Sequence, residues 1–248
     1  MAKLDVGKRM KGIIYYCDNR LKEPLFSIVQ EHILESGLPI TSTSLKPIDF
    51  GNNIVVEGQR SYPTMVNQIV LALENSTTDY VFFCENDVLY PKSHFDFTPP
   101  RDDIFYYNEN VWRWWTKGDV AIRYDRMLPL SCMCCNRELA LEHYQLRQRK
   151  IEEWGLDHFR SREPRLARLW GYEPGTKKKR RGGLTDDDFD IWHSKDPVID
   201  IRYWGTFSSP KIHLKDFKHP PKWWKEINIK DIPKWNSLLL SLRGMNNS

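Results

Sequence analysis

The stretch that most restricts what this chain can become is Tyr80-Val81-Phe82-Phe83-Cys84, followed at once by Glu85-Asn86-Asp87. Five largely apolar residues in a row, without alternation, describe a strand buried on both faces. Such strands belong to parallel sheets covered by helices, and open sheets of that kind hold their ligands at the carboxyl ends of the strands. Glu85 and Asp87 stand at that end, one residue apart. Two hard carboxylate ligands there suit Mg²⁺ or Mn²⁺, ions that retain water and engage substrate phosphates. Taken alone, the same triplet also reads as a solvated turn, where aspartate is common. The rest of the chain has to weigh one reading against the other.

Upstream, Gly12-Ile13-Ile14-Tyr15-Tyr16-Cys17 reads as a first buried strand, ending at the polar Asp18-Asn19-Arg20. An amphipathic helix is expected over Glu23 to Ser36, with Leu25, Ile28, Val29, His32 and Ile33 on one face and Gly37 as its stop. Residues 40 to 46 are β-branched and alternating, a second strand. Pro47 to Gly58 reads as a loop holding the short apolar piece Ile54-Val55-Val56. A second helix starts at Ser61, with Ser61 as N-cap and Pro63 in the first turn. Its buried stripe is Met65, Ile69, Val70 and Leu73. The order β-α-β-α-β with short connections requires right-handed crossovers and a parallel sheet. Asp18 and the Glu85/Asp87 pair then emerge at one sheet edge. No Gly-x-Gly-x-x-Gly follows the first strand and no Gly-x-x-x-x-Gly-Lys-Ser/Thr occurs, which disfavours a dinucleotide site and a P-loop.

A nucleotide-binding α/β half ending in an acidic-x-acidic triplet resembles the GT-A fold of nucleotide-sugar glycosyltransferases, family 2-like. The matching residues are Tyr15 to Arg20 after the first strand and Phe82 to Asp87 after the strand that follows the second helix. The resemblance implies that Asp18, Asn19 and Arg20 contact the nucleotide base or ribose. It implies that Glu85 and Asp87, usually Asp-x-Asp in the family, hold a divalent cation on the diphosphate, with Asp87 ahead of Glu85 as the direct ligand. It places Asn86 within that nucleotide site. It also makes the segment from Arg60 through Asn67 the one that offers an Arg or Asn to the nucleotide, so Arg60 and Asn67 join the candidates. The likeness is good over residues 12 to 91 and extends further only in the order of elements.

Residues 101 to 135 read as short strands, Asp103 to Tyr107, Val111 to Trp115, Val120 to Tyr124 and Leu128 to Cys134, separated by turn residues. Antiparallel additions to a parallel core make a mixed sheet. Trp112, Trp114 and Trp115 either floor an acceptor pocket or pack the sheet. Asn136 caps a helix from Arg137 to about Glu153, and His143 on that helix reads more readily as a packing residue than as a base. Five cations in a row, Lys177 to Arg181, followed by Gly182-Gly183, read as a loop rather than a packed element. Thr185 or Asp186 can cap a short helix to about Ser194. The competing role for Asp186, Asp187 and Asp188 is a general base, since an inverting glycosyl transfer needs a carboxylate to take the acceptor hydroxyl proton. The resemblance puts that base after the acceptor helix, with Asp187 or Asp188 favoured. It also implies a late histidine as a further metal ligand, for which His213 is the candidate.

Composition narrows the class. Of 248 residues, 40% are hydrophobic and 28% charged, as in a soluble globular protein. No apolar run reaches the roughly eighteen residues of a membrane helix, and the first residues lack an apolar signal core. A cytoplasmic protein is the default expectation. The five cysteines lack framework spacing; Cys132, Cys134 and Cys135 read as buried small hydrophobes rather than as a zinc site. The net charge of +4 is uneven: residues 147 to 181 hold twelve Lys and Arg against five Asp and Glu, so the remainder is mildly acidic. A basic block of that kind calls for an anionic partner, whether nucleotide phosphates, nucleic acid or a membrane surface.

These readings combine into a single GT-A-like α/β domain with a Rossmann-like nucleotide half and a mixed central sheet. Residues 1–100 form the nucleotide-sugar half, 101–222 the acceptor half and 223–248 a C-terminal tail or lid. The expected activity is Mn²⁺- or Mg²⁺-dependent transfer of a sugar from a nucleoside diphosphate sugar to an acceptor hydroxyl on a carbohydrate or on DNA. The alternatives are transfer to a modified base in DNA, a nucleotidyltransferase, or a nucleic-acid-binding protein without catalysis. A nucleotidyltransferase normally carries a Gly-rich loop after its first strand, where this chain has Asp18-Asn19-Arg20.

Overall fold

A computed structural model describes residues 9–125, 127–155, 173–175, 189–203, 205–206, 211–217 and 219–244. The N-terminal half alternates as the apolar runs require: β1 (Lys11–Cys17), α1 (Leu25–Leu34), β2 (Ile40–Ser44), β3 (Asn52–Val55), α2 (Tyr62–Asn75) and β4 (Tyr80–Glu85). Then come β5 (Val88–Leu89), β6 (Phe105–Asn108), β7 (Val111–Trp115), β8 (Val120–Tyr124), β9 (Met133–Asn136) and α3 (Arg137–Trp154). The remaining strands and α-helix among the described residues are β10 (Phe189–Trp192), β11 (Val198–Arg202), β12 (Trp224–Asn228) and α4 (Asn236–Leu242).

Seven strands form the main sheet in the order β10-β6-β9-β4-β1-β2-β3. Strands β1 to β4 are mutually parallel, while β9 pairs antiparallel with both β4 and β6. The continuous apolar runs are explained by two cores. Ile13, Tyr15, Cys17, Phe82 and Cys84 face one with α1; Ile14, Tyr16, Val81 and Phe83 face the other with α2 and α3. Successive side chains leave a strand on opposite faces, so a strand covered on both sides must be apolar throughout. This is the mixed α/β architecture expected from the sequence.

A second sheet, β12-β8-β7-β11-β5, packs into the first core. Its central pairing, β7 with β11, joins segments far apart in sequence and is parallel. Trp114 is fully buried in that core and donates its indole N–H to the Gly118 carbonyl, so it packs the sheet; Trp112 is partly buried against the same core.

The helices start where their caps predict. The Ser61 hydroxyl accepts from the Thr64 N–H at 3.1 Å, and the Asn136 side-chain Oδ1 accepts from the N–H groups of Glu138 and Leu139. Three segments differ from expectation. Ile54-Val55, read as part of a loop, forms the edge strand β3 beside β2. The helix expected to run to about Ser194 is instead a strand over its described residues. Phe189–Trp192 pairs parallel with β6, and its Trp192 ring stacks on Phe97 at 4.3 Å. The aromatic and β-branched residues there outweigh the acidic cap signal before them. The segment read as a tail or lid supplies β12 to the second sheet, and Trp235, Leu239 and Leu242 to the first core. All five cysteines are buried free thiols, as their apolar surroundings imply.

Candidate active site

The carboxyl ends of β1 and β4 carry the residues singled out by sequence. The Asp18 carboxylate pairs with Arg60 Nε at 2.6 Å and accepts from the Arg20 N–H at 3.1 Å. Arg60 stands just before α2 and also donates from Nη2 to the Gly205 carbonyl at 3.0 Å, which ties the end of β1 to the segment after β11. Asn19 has a positive φ of 56°, and its side-chain carbonyl accepts from the N–H groups of Leu45 and Lys46, each at 2.8 Å. Asn19 therefore fastens the end of β1 to the end of β2. Arg20 is exposed at the rim. Gln68, which no motif marked, donates from α2 to the Cys17 carbonyl at 2.8 Å and so supports the same rim from below. Asn67 faces the other way and accepts from Gln148 of α3 at 3.2 Å.

Register places Tyr16 beside Glu85, and the Tyr16 hydroxyl donates to Glu85 Oε1 at 2.6 Å. The Glu85 N–H donates to the Tyr90 hydroxyl at 3.0 Å, which shapes the turn after β4. Asn86 is buried in that turn, and its side-chain N–H₂ finds no acceptor among the described residues. Asp87 is half-buried, and among the described residues its carboxylate has no hydrogen-bond or ion-pair partner. Burial pushes the Glu85 carboxyl up, against the Tyr16 hydrogen bond and the charge of Arg202. Burial, and then the Glu85 charge beside it, pushes Asp87 well above the usual carboxylate range. Two carboxylates drawn out of water side by side favour whatever brings positive charge to them.

That charge is supplied in part by β11, which no sequence motif marks. The Ile201 N–H donates to the Asp87 carbonyl at 3.0 Å, which pins β11 under the acidic turn. Residues on either side of Ile201 then face the site together, because positions two apart share a face. Arg202 Nη2 bonds Asp200 Oδ2 at 2.7 Å and Arg113 Nε bonds the same oxygen at 2.9 Å. Burial acts to raise the Asp200 carboxyl, but Arg202 and Arg113 together hold it below its ordinary value. Arg202 is held above its own ordinary value: the pull of Asp200, with Asp87 and Glu85 behind it, outweighs burial. Tyr203, also buried, is pushed up by burial and then by the fields of Asp87 and Asp18. The Asp200-x-Arg202 spacing was the only available signal for this cluster, and it names a face without naming what lies opposite.

The other candidates fall elsewhere. His213 is exposed at the start of a one-turn helix, Leu214–Asp216, where it takes part in the capping. Among the described residues no group of three or more His, Cys, Asp and Glu side chains gathers to hold a metal, so His213 does not join Glu85 and Asp87. Two carboxylates still fit Mg²⁺ or Mn²⁺, whose remaining positions water and phosphate oxygens take. His143, on α3, is buried with its ring edge-on to Phe105 of β6 and accepts from Arg147 Nε at 2.9 Å, which makes it a packing residue. Asp186, Asp187, Asp188 and the cations Lys177 to Arg181 lie outside the described residues. Among the described residues no helix is long and apolar enough to cross a membrane.

Comparisons with known proteins add little to this geometry. No family model matches the chain. Pantothenate synthetase of Pseudothermotoga lettingae is 34% identical over 74 residues, which are 30% of this chain and 25% of that protein. The chain thus spans about a quarter of the length of that curated relative. Among solved structures, one neighbour is a glycosyltransferase involved in the glycosylation of the major capsid of PBCV-1. Its TM-score is 0.43 at 10% identity, covering 79% of this chain and 94% of that one. Another is the bifunctional IspDF from Campylobacter jejuni, with a TM-score of 0.40 at 12% identity over 75% of this chain and 50% of that one. A third is the inositol-1-phosphate CTP transferase from T. maritima, with a TM-score of 0.40 at 10% identity over 96% and 98%. Likenesses at this level carry no argument about activity, which rests on the residues of the site.

Proposed function

We propose that this chain is a metal-dependent glycosyltransferase that moves a sugar from a nucleoside diphosphate sugar to an acceptor hydroxyl. The observation that carries the reading is the half-buried pair Glu85 and Asp87 at the carboxyl end of β4, with Asp87 unengaged among the described residues and Asp18 beside it at the end of β1. Glu85 and Asp87 would hold Mn²⁺ or Mg²⁺, which supplies Lewis-acid neutralisation of the leaving diphosphate. Asp18, braced by Arg60, offers an acceptor oxygen to a nucleotide base or ribose, and the buried Asn86 amide offers a donor. Arg202, held charged by Asp200, contributes fixed positive potential where charge develops on the diphosphate.

In the reaction the bond from the anomeric carbon to the diphosphate oxygen breaks and a bond to the acceptor oxygen forms. The acceptor hydroxyl proton leaves to a carboxylate, for which one of Asp186, Asp187 and Asp188 is proposed. Glycosyl transfer is preferred to nucleotidyl transfer because the loop after β1, Asp18-Asn19-Arg20, has no glycine and its Arg20 N–H is given to the Asp18 carboxylate, where a phosphate-cradling loop needs free backbone N–H groups. The test is a thermal-shift screen of nucleoside diphosphates and their sugars with and without Mn²⁺. A nucleoside diphosphate sugar that stabilises the protein only with Mn²⁺ supports the reading; nucleoside triphosphates alone doing so would favour nucleotidyl transfer.

A further inference from the structure

The acidic turn has an arginine on one side and a tyrosine on the other. Pairing of β5 with β11 sets Asp200 opposite Val88, and one step on the Ile201 N–H meets the Asp87 carbonyl. Arg202 leaves β11 on the side of Asp200. Tyr203, just past the strand, leaves on the side of Ile201 and packs with it in the first core. The charges around the two residues differ accordingly. Arg202 answers to Asp200, Asp87 and Glu85. Tyr203 is pushed up by burial, then by Asp87 and Asp18, with Arg60 and Arg20 acting against them. Its hydroxyl therefore stays protonated at neutral pH, a neutral donor between the carboxyl ends of β1 and β4.

The ring is buried and braced. Thr206 turns back on it, donating its N–H and its hydroxyl to the Tyr203 carbonyl at 3.2 and 3.0 Å. That turn lays Gly205 against the ring. A Cβ at Gly205 would stand 2.4 Å from Tyr203 Cε2 and 3.3 Å from Cζ, so the close approach needs a glycine. The Gly205 carbonyl accepts from Arg60 Nη2 at 3.0 Å, and Arg60 Nε reaches Asp18 at 2.6 Å. One glycine and one guanidinium thus link the outer edge of the ring to Asp18. A buried hydroxyl ordinarily has a partner. Among the described residues that of Tyr203 has none, although carboxylates stand near it. Asp18 is turned instead to Arg60 and to the Arg20 N–H. The hydroxyl lies between the end of the site assigned to the nucleoside, at Asp18, and the end assigned to the metal, at Asp87. In a nucleoside diphosphate the group between those two ends is the phosphate attached to the ribose, which is rich in acceptor oxygens.

We propose that Tyr203 binds the sugar donor, its hydroxyl donating to an oxygen of the phosphate next to the nucleoside, with Gly205 and Arg60 holding the ring in place. The proposal rests on the nucleotide-sugar reading for the identity of the ligand. The contact itself asks only for a phosphate oxygen between Asp18 and Asp87.

The test is calorimetry on the full chain, wild type and Tyr203→Phe, with inorganic pyrophosphate and with each of UDP, GDP, CDP, ADP and dTDP, all in the presence of Mn²⁺. Tyr203→Phe keeps the ring and removes no hydrogen bond among the described residues, so its melting temperature should be unchanged. It should bind pyrophosphate, and any nucleoside diphosphate that the wild type binds, roughly tenfold to a hundredfold more weakly, as expected for a lost hydrogen bond to a charged group. Its affinity for Mn²⁺ alone should be unchanged. Unaltered affinity for both kinds of anion in the folded variant overturns the proposal. So does a loss confined to the nucleoside diphosphates, which would put the hydroxyl on the ribose or base, or a parallel loss of Mn²⁺ affinity. Gly205→Ala, which displaces the ring, should weaken pyrophosphate binding in the wild-type background and add little in Tyr203→Phe. Equal losses in both backgrounds would mean that Gly205 acts through Arg60, and would overturn the bracing. The two readings fail separately. A wild type that holds pyrophosphate through Tyr203 and gains nothing from any nucleoside removes the nucleotide-sugar reading and leaves the phosphate contact standing. A nucleoside diphosphate bound equally by wild type and variant leaves that reading and removes the role of Tyr203. A wild type that binds neither anion removes both.

Discussion

Asp87 and Asp200 are both drawn out of water, and the residue next to Asp200 donates its N–H to the carbonyl of Asp87. Their circumstances are opposite. Asp200 is clamped by two arginines that hold its carboxyl below the ordinary range. Asp87 has no such partner among the described residues and is pushed well above it by burial and by Glu85. A clamped carboxylate has its charge satisfied within the fold, whereas the fold disfavours the charged form of the other, which a bound cation would restore. The difference sets a carboxylate satisfied by its neighbours beside one that has no such partner among the described residues, at a single sheet edge.

The largest expected effect breaks the clamp. Asp200→Ala leaves Arg113 and Arg202 buried without their shared counter-charge, and should destabilise the fold by about 3–5 kcal/mol, read by urea unfolding. A cost under about 1 kcal/mol, the range of an exposed ion pair, would place Asp200 with the surface charges and dissolve the contrast.

The pH dependence of stability should divide the two residues by sign. A depressed carboxyl such as Asp200 contributes stability that is present above the unfolded-state pKa and is lost as pH falls through its lower folded value. A raised one such as Asp87 acts the other way. The fold favours its protonated form, so stability declines as pH climbs from the ordinary carboxylate value toward the raised folded one. Asp87→Asn should therefore raise stability at neutral pH by roughly 1–2 kcal/mol and flatten that decline, measured as melting temperature against pH. A melting temperature that falls in this variant contradicts the assignment of Asp87 as a strained group.

Ser61→Ala, which removes the α2 cap, serves as the neutral control. It should cost about 1 kcal/mol with no change in the shape of the pH profile. A changed profile would mean that the start of α2, beside Arg60 and Asp18, is coupled to the acidic pair.

Much of the fold was legible because both faces of the main sheet are covered. Such strands are apolar throughout, so β1 and β4 stood out, and Ser61 and Asn136 marked their helices by capping chemistry. The edges were harder. Ile54-Val55 lies among Asn and Gly residues that read as a loop, and only pairing with β2 makes it a strand. Phe189 to Trp192 follows three aspartates, a local helix signal that its packing against Phe97 and β6 overrides. At the site, Glu85 and Asp87 were visible because they interrupt an apolar run. Arg113, Asp200 and Arg202 were not, because their convergence depends on the pairing of β7 with β11, and long-range pairing has no local signature. His213 shows the opposite limit: chain order suggested a ligand, and the structure puts it at a short helix cap away from the pair.

The most direct measurement of the central claim is calorimetric titration of a nucleoside diphosphate, with and without Mn²⁺, into wild-type protein and Asp87→Asn. The wild type should bind with an affinity that depends on the metal. The variant, folded and no less stable, should lose the metal-dependent part. Metal-dependent affinity retained unchanged in the folded variant would contradict the account, because Asp87 would then hold no ion.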